Sequence, residues 1–587
     1  MGMRCAFSFL TFVLVAAGTS FLDQHIYVLQ RMHAAYTKDS DKVDVGFLRF
    51  VIELHDDDAR CEARCVEQLN KFLLSPLKHE KGPAAVAQVD AESGLISISF
   101  SRFRALLEQI YAGEVSSDPY QPQEIHLALT SASSSVGSRL PAAEATMSMK
   151  AMWVTMGALE YPIVQYLPAA GNGEYNWAKA AVAAAATSTY RVEKKWWPIF
   201  TGVIYDADMT SLVPDAAYVY RVGGYSSANA TMRFSEAFDF RAPPRPHGDK
   251  DRPTVICTLA DHGTFEFFGF AVVDKMIALR EELGFEMVHV AGDLSYAGLS
   301  SDFPPLDITS EDEFEHIWDL LFIQNQILAS KMAWMSGDGN HERFYNYSAL
   351  QYRYQMPQSV IPFEEGGAAP SNGNFWYQYT YGNTRWISIS SEHDLSSGSP
   401  QMTFLTAALV QAQSERDIVP WVIVTIHKPP YCSDAGTPGG YADFLEDTFV
   451  YFDVDLVISG HLHVYERISP VYKGSVTCLP IQQNGGLDAY LSTGKGPVYV
   501  VQGNAGAMQW DRWVEPQPQW SQYRMSNGLP PQIQAQAWEA PPAYTYSYTD
   551  TYGFGVVATS NSTHLQYTSI PITGTFVDSF WIVKRVV

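Results

Sequence analysis

In the segment Met287-Val-His-Val-Ala-Gly-Asp-Leu-Ser-Tyr296, an apolar run ends immediately before a group of polar side chains. Met287–Val290 predicts a short buried strand, and Asp293 and Tyr296 lie in the turn that follows it. In α/β sheets, ligand-binding groups lie beyond the carboxyl ends of the strands. The turn is therefore a candidate binding site.

Apolar runs and polar turns alternate along the rest of the C-terminal half. Phe268–Leu283 predicts a helix that ends at Gly284, since glycine suits the backbone conformation after a helix. Further strands are predicted at Val255–Leu259, Ala333–Met335, Trp386–Ser390, Trp421–Thr425, Val454–Ser459 and Val498–Val501. We therefore predict an α/β domain over residues 250–587, a layered β-sandwich flanked by helices, with its motifs meeting at one sheet edge.

Residues 119–245 show a different pattern, of short β runs between turn-rich segments. The runs are Ile125–Thr130, Met152–Thr155, Gly202–Tyr205 and Ala217–Arg221. Their spacing predicts a small all-β sandwich, followed by a proline-rich linker at Ala242–Asp249. Residues 21–118 form an N-terminal extension of unknown role. Helices are predicted in it near Ala59–Leu74 and over Phe103–Ile110.

The first 20 residues are typical of a secretory signal peptide. Arg4 precedes an apolar run, Phe7–Ala17, which is too short to span a bilayer and is followed by small residues. We expect a secreted protein, or one delivered to a vacuole or lysosome-like compartment; an interfacial anchor is the alternative reading. Glycosylation sequons begin at Asn229, Asn346 and Asn561, and these matter only if the chain is exported.

The composition of the chain limits the kinds of molecule that it is expected to bind. The net charge of -24 argues against nucleic acid, so an anionic substrate would need local positive charge, which bound cations could supply. No apolar stretch predicts a stable membrane span. The six cysteines are too few for a disulfide scaffold. Cys61 and Cys65 are spaced closely enough to pair, and at least one thiol elsewhere should be free.

Five motifs supply the ligands for two adjacent metal ions. They are Asp261-His-Gly263, Gly292-Asp-Leu-Ser-Tyr296, Gly339-Asn-His-Glu342, Val424-Thr-Ile-His427 and Gly460-His-Leu-His463. The two oxygens of Asp293 can bridge two cations. A hard phenolate from Tyr296 suits Fe(III), with Asp261 and His463 completing that site. The second site would use Asn340, His427 and His461 with Asp293, and these donors suit a divalent ion such as zinc, iron or manganese.

Four further histidines are expected to have different roles. His341 follows Asn340 in a tight turn, so it should lie beside the metals, where it could bind a phosphate oxygen or protonate the leaving group. His393 follows a strand and is a candidate substrate contact. His289 lies within a strand and is interpreted as a core residue, whereas His262 could be either a support for the metal site or an exposed side chain.

The motifs, in this order, resemble those of the purple acid phosphatases within the calcineurin-like metallophosphoesterases. Tyr296 is the most specific element, and residues 119–245 resemble the fibronectin type III-like domain of the large forms. The resemblance implies an Fe(III)–M(II) centre with the ligands given above, and a catalytic role for His341. Two features depart from the pattern: Ala260 stands where a glycine is common, and residues 428–440 lack a histidine that some members use for substrate.

These expectations combine into a secreted acid phosphatase that hydrolyses phosphate monoesters by attack of a metal-bound hydroxide. The alternatives are a phosphodiesterase or phytase with the same metal centre, or a cell-surface binding protein with an inert catalytic domain. The expected partner is a small phosphorylated substrate. The sequence leaves the oligomeric state open, with a homodimer as one option.

Overall fold

The computed structural model describes most of the chain after residue 117. The described residues are 118–130, 146–169, 173–191, 200, 202–245, 248–263, 268–297, 315–357, 372–435, 440–482, 487–492, 495–507, 513–525, 551–572 and 578–584. Before them, only three short strands are described, β1 (Lys42–Asp44), β2 (Gln88–Val89) and β3 (Ile96–Ser99), in one antiparallel sheet. The predicted signal peptide, the two predicted N-terminal helices and the Cys61–Cys65 pair lie outside the described residues.

Two antiparallel sheets form the first β-rich region. The strands are β4 (Gln123–Leu129), β5 (Met147–Thr155), β6 (Glu160–Pro168), β7 (Ala181–Ala184), β8 (Ala186–Ser188), β9 (Val203–Leu212), β10 (Ala217–Ser226), β11 (Thr231–Phe234) and β12 (Phe238–Arg241). One sheet has the order β4-β5-β9-β8, and the other has β11-β10-β6-β7 with β12 on β10. A 3-10 helix, Trp177–Lys179, precedes β7. Apolar side chains of both sheets, such as Trp153 and Tyr220, are fully buried in the hydrophobic core.

The C-terminal region contains both strands and helices. Its strands are β13 (Thr254–Leu259), β14 (Met287–Val290), β15 (Ala333–Ser336), β16 (Tyr377–Tyr381), β17 (Thr384–Ile389), β18 (Trp421–Ile426), β19 (Leu456–Ser459), β20 (Tyr465–Ile468), β21 (Val471–Tyr472), β22 (Ser475–Val476), β23 (Ile481–Gln482), β24 (Asp488–Ser492), β25 (Val498–Gln502), β26 (Ser521–Met525), β27 (Gly553–Thr559), β28 (His564–Pro571) and β29 (Asp578–Lys584). The helices are α1 (Phe268–Leu283), α2 (Glu315–Ala329), α3 (Ser348–Arg353), α4 (Pro400–Ser414) and α5 (Tyr441–Tyr451), with a 3-10 turn at Phe344–Tyr347. The predicted bounds of α1 are confirmed, and Gly284 has a φ of 63° after its last turn.

The predicted strands belong to two sheets, as a layered β-sandwich requires, and the motifs follow strands of both sheets. β13, β14 and β15 are parallel neighbours in a twelve-stranded sheet, while β17, β18, β19 and β25 are parallel in a seven-stranded sheet. His289 of β14 joins the two sheets, because its ring nitrogens lie 2.9 Å from the hydroxyls of Tyr379 and Thr425. His289 is fully buried with both ring nitrogens hydrogen-bonded, which confirms that it is a core residue, and this burial lowers its pKa to about 3.

The twelve-stranded sheet also continues into the N-terminal β region. β15 pairs in parallel with β4, where Ala333 faces Leu127. Arg353 of α3 reinforces the contact, since it lies 3.1 Å from the carboxylate of Glu124 on β4 and 2.7 Å from that of Asp319 on α2. The linker predicted at residues 242–249 starts as packed chain, with Ala242 fully buried.

Candidate metal centre

The motif residues lie in turns at the carboxyl ends of five parallel strands. Asp261, Asp293 and Asn340 follow β13, β14 and β15, while His427 and His461 follow β18 and β19. The turns are also hydrogen-bonded to one another beyond the strands: the amide of His262 donates to Asp293, and that of Gly460 donates to His427. The facing edges of the two sheets therefore bring together side chains that are distant in sequence.

Four of the predicted ligands have a left-handed backbone. Asp261, Asp293, Tyr296 and His461 have φ values of 56°, 50°, 56° and 70°. This conformation costs a non-glycine residue roughly 1–2 kcal/mol, and such residues cluster at functional sites where the surrounding fold holds them. The ligand atoms of these four side chains lie close to one another.

The first group of donors surrounds the phenol of Tyr296. Its oxygen lies 2.8 Å from Oδ1 of Asp261, 2.8 Å from Nε2 of His463 and 3.3 Å from Oδ2 of Asp293. Ligand atoms of Asp261, Asp293 and His463 lie within 4.8 Å of one another, as a shared cation would require. All four side chains are buried.

The second group shares Asp293 and adds His427 and His461, again with ligand atoms within 4.8 Å of one another. Nε2 of His427 lies 3.1 Å from Oδ2 of Asp293, while Nδ1 lies 3.1 Å from the carbonyl of Ala291. A proton on Nδ1 that is donated to this carbonyl leaves Nε2 as the ligand atom. Asn340 contributes a buried Oδ1 that has no hydrogen-bond partner among the described residues.

These features fit a pair of cations. A buried amide oxygen without a partner is costly, and a metal ion would satisfy it. Burial raises the pKa of Tyr296, and the carboxylates of Asp261 and Asp293 raise it further, so a phenolate there needs a strongly acidic cation beside it. Although burial opposes ionisation of Asp293, His427 and His341 hold the pKa of its carboxyl below the usual range. The carboxylate of Asp293, which both groups share, is thus a negatively charged metal ligand.

Glu342 holds the two central motifs together, although sequence reasoning gave it no role. Its carboxylate accepts hydrogen bonds from the amides of Asp293 at 3.0 Å, Leu294 at 2.8 Å and Gly339 at 2.8 Å. Close approach is possible because position 339 is a glycine: a Cβ there would lie 2.3 Å from Oδ1 of Asp293. The only sequence feature that pointed to Glu342 was its position in the same motif as Asn340.

His341 lies beside the donor groups. Its amide donates to Oδ1 of Asp293 at 2.9 Å, and its ring lies 4.4 Å from that of Tyr296. Nε2 is 4.0 Å from Oδ2 of Asp293, and about a fifth of the side chain (21%) is exposed. The ring can therefore reach a molecule that enters from solvent.

His262 is buried and supports the first turn. Its Nδ1 lies 3.2 Å from the carbonyl of Ala505, and its Nε2 lies 2.9 Å from the side-chain oxygen of Asn325 on α2. Of the two readings left open by the sequence, the structure excludes the exposed one.

His393 lies near the Asn340 turn, apart from the donor groups. Its Nδ1 lies 2.8 Å from Oγ of Ser390 and 3.7 Å from Oδ2 of Asp338, two residues before Asn340. Its ring stacks on Tyr347. Asp338 and Ser390 were not identified from the sequence, because no motif predicts the contact between their loops.

Comparison with known proteins identifies both regions. The model of the purple acid phosphatase N-terminal domain matches residues 122–242, and that of the calcineurin-like phosphoesterases matches residues 255–465. A purple acid phosphatase from yellow lupin seeds has the same fold, with a TM-score of 0.59 and 21% identity over 80% of this chain and 75% of that one.

Some of the named relatives carry the word inactive in their names, and others do not. Probable purple acid phosphatase 20 of Arabidopsis thaliana is 26% identical over 69% of this chain and 80% of its own length. Acid phosphatase type 7 of Homo sapiens is 24% identical over 65% and 77%. Probable inactive purple acid phosphatase 27 of Arabidopsis thaliana is 26% identical, but the match spans only 52% of its length.

The fold and the facing donor groups define a calcineurin-like metallophosphoesterase, a class of phosphoesterases. Within that class, the domain matched over residues 122–242 is the N-terminal domain of the purple acid phosphatases. The chain belongs to the purple acid phosphatase family, whose members use a dinuclear metal centre. Among the described residues, no helix is both long and apolar enough to cross a membrane.

Proposed function

We propose that the protein is a metal-dependent acid phosphatase that hydrolyses phosphate monoesters. The observation that carries the proposal is the pair of donor groups that share Asp293. Asp261, Asp293, Tyr296 and His463 would hold Fe(III). The divalent ion, zinc, iron or manganese, would be held by a second set of donors: Asp293, Asn340, His427 and His461. Bound together, the two ions would neutralise phosphate charge and activate water for in-line attack at phosphorus.

Charge around the site supports this role for cations. The chain carries a net charge of -24, so its surface does not attract phosphate. The nearest lysine in sequence to the donors, Lys428, is paired with Glu392 at 2.8 Å, and this carboxylate offsets its charge. Positive charge at phosphorus would therefore come mainly from the ions.

Two histidines would act on the substrate from the protein side. His341 is held against Asp293 by its own amide and is partly exposed, so its ring would bind a phosphate oxygen or protonate the leaving alkoxide. His393 would make a second contact, from the side of the Asn340 turn.

The inert alternative has a specific motivation, since several relatives are named as inactive. The complete donor set speaks against it here: all seven predicted ligand side chains lie in the turns that face one another, and the oxygen of Asn340 lacks any other partner among the described residues. A phosphodiesterase or phytase would use the same donors, so substrate assays must separate these activities.

The test combines metal analysis with a panel of p-nitrophenyl phosphate, its bis-diester and phytate. We expect two metals per chain and the highest kcat/KM for the monoester. Asp293→Asn should abolish both, while Asp251→Asn, at an exposed position, should change neither. Wild-type turnover in the absence of bound metal, or full activity of Asp293→Asn, would refute the proposal.

Export is part of the proposal and rests on Phe7–Ala17 and on the exposure of the sequon residues Asn229 and Asn346. Expression in a secreting eukaryotic host should give protein in the medium that begins near residue 20 and becomes smaller on deglycosylation. Retention of the intact N-terminus inside the cell would contradict this.

A further inference from the structure

We propose that Gln324 and Asn325 of α2 are positioning residues that hold the turn of Asp261 through His262. Their role is to favour cation binding by the donor group around Tyr296, which we call the Tyr296 site. This role rests on the proposed function, because it assumes that the Tyr296 site binds the ion assigned above as Fe(III).

Both nitrogens of the His262 ring are held by their surroundings. Nδ1 lies 3.2 Å from the carbonyl oxygen of Ala505. Nε2 lies 2.8 Å from Nε2 of Gln324 and 2.9 Å from Oδ1 of Asn325, and all three side chains are buried. A ring nitrogen either donates or accepts a hydrogen bond, and α2 offers Nε2 one group of each kind. The ring therefore has a partner on α2 in either protonation state.

Gln324 also bonds to the backbone of the turn. Its Nε2 donates to the carbonyl oxygen of Gly263 at 3.3 Å. Gly263 packs against the ring of Tyr296, because a Cβ added at Gly263 would lie 3.1 Å from Cδ2 of Tyr296. Asp261, with a φ of 56°, has a conformation that a non-glycine residue keeps only where its surroundings hold it. The turn thus carries one ligand of the Tyr296 site and supports another.

Other contacts keep the turn in place when a single amide is lost. A Cβ added at Gly269, in the first turn of α1, would collide with the carbonyl oxygen of Gly263. The amide of Ala507 donates to the carbonyl of Asp261 at 2.9 Å. Removing Gln324 or Asn325 should therefore loosen the turn without unfolding it.

The contacts of α2 favour the Tyr296 site over the second donor group. Among the described residues, the side chains of Gln324 and Asn325 bond only to His262 and Gly263. Asn340 and His427, which belong only to the second group, follow β15 and β18. The two groups are not independent, because the amide of His461 donates to Oδ2 of Asp261 at 2.7 Å. We therefore expect a large effect at the Tyr296 site and a smaller one at the second site.

α2 is fixed by contacts away from the donor groups. Asp319 lies 2.7 Å from Arg353, and Oε1 of Gln326 accepts from the amide of Ile125 at 2.9 Å. Positions 324 and 326 are about 200° apart around the helix axis, so Gln326 faces β4 while Gln324 faces the turn. Gln326 is therefore a control of the same residue type on the same helix.

The test compares Gln324→Leu with Gln326→Leu in the full-length protein loaded with iron and zinc. Bound iron and bound zinc are measured separately by elemental analysis during titration with a chelator. The phenolate-to-iron absorption gives a second measure of the Tyr296 site, and urea unfolding of metal-free protein measures stability. Asn325→Leu removes the other amide and replaces Gln324→Leu if that variant does not fold.

We expect Gln324→Leu and Asn325→Leu each to lower the affinity for iron about 3- to 10-fold, as loss of one or two hydrogen bonds implies, with a smaller loss for zinc. Gln326→Leu should lose stability and keep both affinities. Because Asn325 acts through His262, adding Asn325→Leu to His262→Leu should cause no further loss of iron affinity. Equal iron affinity in Gln324→Leu and Gln326→Leu, or equal losses of iron and zinc, would overturn the inference.

The measurements separate this role from the proposed function. Wild-type protein that binds both metals without hydrolysing p-nitrophenyl phosphate would refute the proposed function, and the iron affinities would still decide the role of α2. Conversely, an active wild-type enzyme whose iron affinity is unchanged in Gln324→Leu and Asn325→Leu would refute the positioning role alone.

Discussion

Replacing Glu342 with glutamine should weaken metal binding more than it disturbs the fold. The Glu342 carboxylate accepts three amides, from Asp293, Leu294 and Gly339, and it is buried. A glutamine oxygen can keep two of these bonds, in a weaker, uncharged form, but its NH₂ group would face the third amide. One unsatisfied amide costs about 1–3 kcal/mol, and two weakened bonds bring the total to about 2–5 kcal/mol.

Part of this energy should appear as lost metal affinity, since the three amides belong to the turns that carry Asp293 and Asn340. Groups that orient metal ligands typically contribute about 10- to 100-fold in affinity, or about 1.4–2.7 kcal/mol. Competition with a chelator measures the affinity, and urea unfolding measures the stability.

Glu466→Gln is the matched control. Glu466 is also buried and accepts from the amide of Ser433 at 2.9 Å, and from the hydroxyls of Ser433 and Ser521 at 2.5 Å, but it touches neither Asp293 nor Asn340. We expect it to lose stability and keep its metals. Equal metal affinity in wild type and Glu342→Gln would refute the role of Glu342 in orienting the ligands.

Three further substitutions test separate parts of the structure. Tyr296→Phe should remove any visible phenolate-to-iron absorption while leaving the circular dichroism spectrum unchanged. Gly339→Ala should lose metal, as judged by elemental analysis, because the added Cβ would lie 2.3 Å from Oδ1 of Asp293. Arg353→Met should lower the free energy of unfolding by about 3–5 kcal/mol, since the buried Glu124 would lose its cation.

Each of these three predictions has a result that would contradict it. Absorption that persists in Tyr296→Phe would show that another group is the source of the colour. Full metal content in Gly339→Ala would mean that the turn relaxes. Arg343→Met, at an exposed position, is the control for Arg353→Met and should stay within about 0.5 kcal/mol of wild type; an equal loss in both variants would contradict the buried ion pair.

Local sequence predicted the elements well, because strand and helix signals are carried by neighbouring residues. Met287–Val290 and Phe268–Leu283 have the predicted bounds, and the glycine after the helix adopts the left-handed conformation. Which of the two sheets each strand joins was not predictable in this way. A buried run such as Trp421–Ile426 has the same apolar pattern in either sheet.

The pairing of β15 with β4 shows the same limit. Ala333 and Leu127 are about 200 residues apart in sequence, and neither run carries a signal for the other. Only the packed structure shows that the N-terminal β region extends the sheet that carries Asp261, Asp293 and Asn340.

Around the metal centre, motif chemistry predicted candidate ligands but not the groups that hold them. Asp261 and His463 have recognisable donor types in turns after strands, and the structure brings them to 3.3 Å. Glu342 and Gln324 act through hydrogen bonds to other loops, and such contacts depend on tertiary packing. A second polar residue within a ligand motif was the available signal for Glu342, while Gln324 had none.

The central claim is that two cations bind between the sheets and share the carboxylate of Asp293. A crystal structure of the protein purified without chelator, with anomalous-difference maps recorded at the iron and zinc edges, tests it directly. We predict two peaks, one against Tyr296 and His463 and the other against Asn340 and His427. A single peak, or none, in protein that still hydrolyses p-nitrophenyl phosphate would contradict the claim.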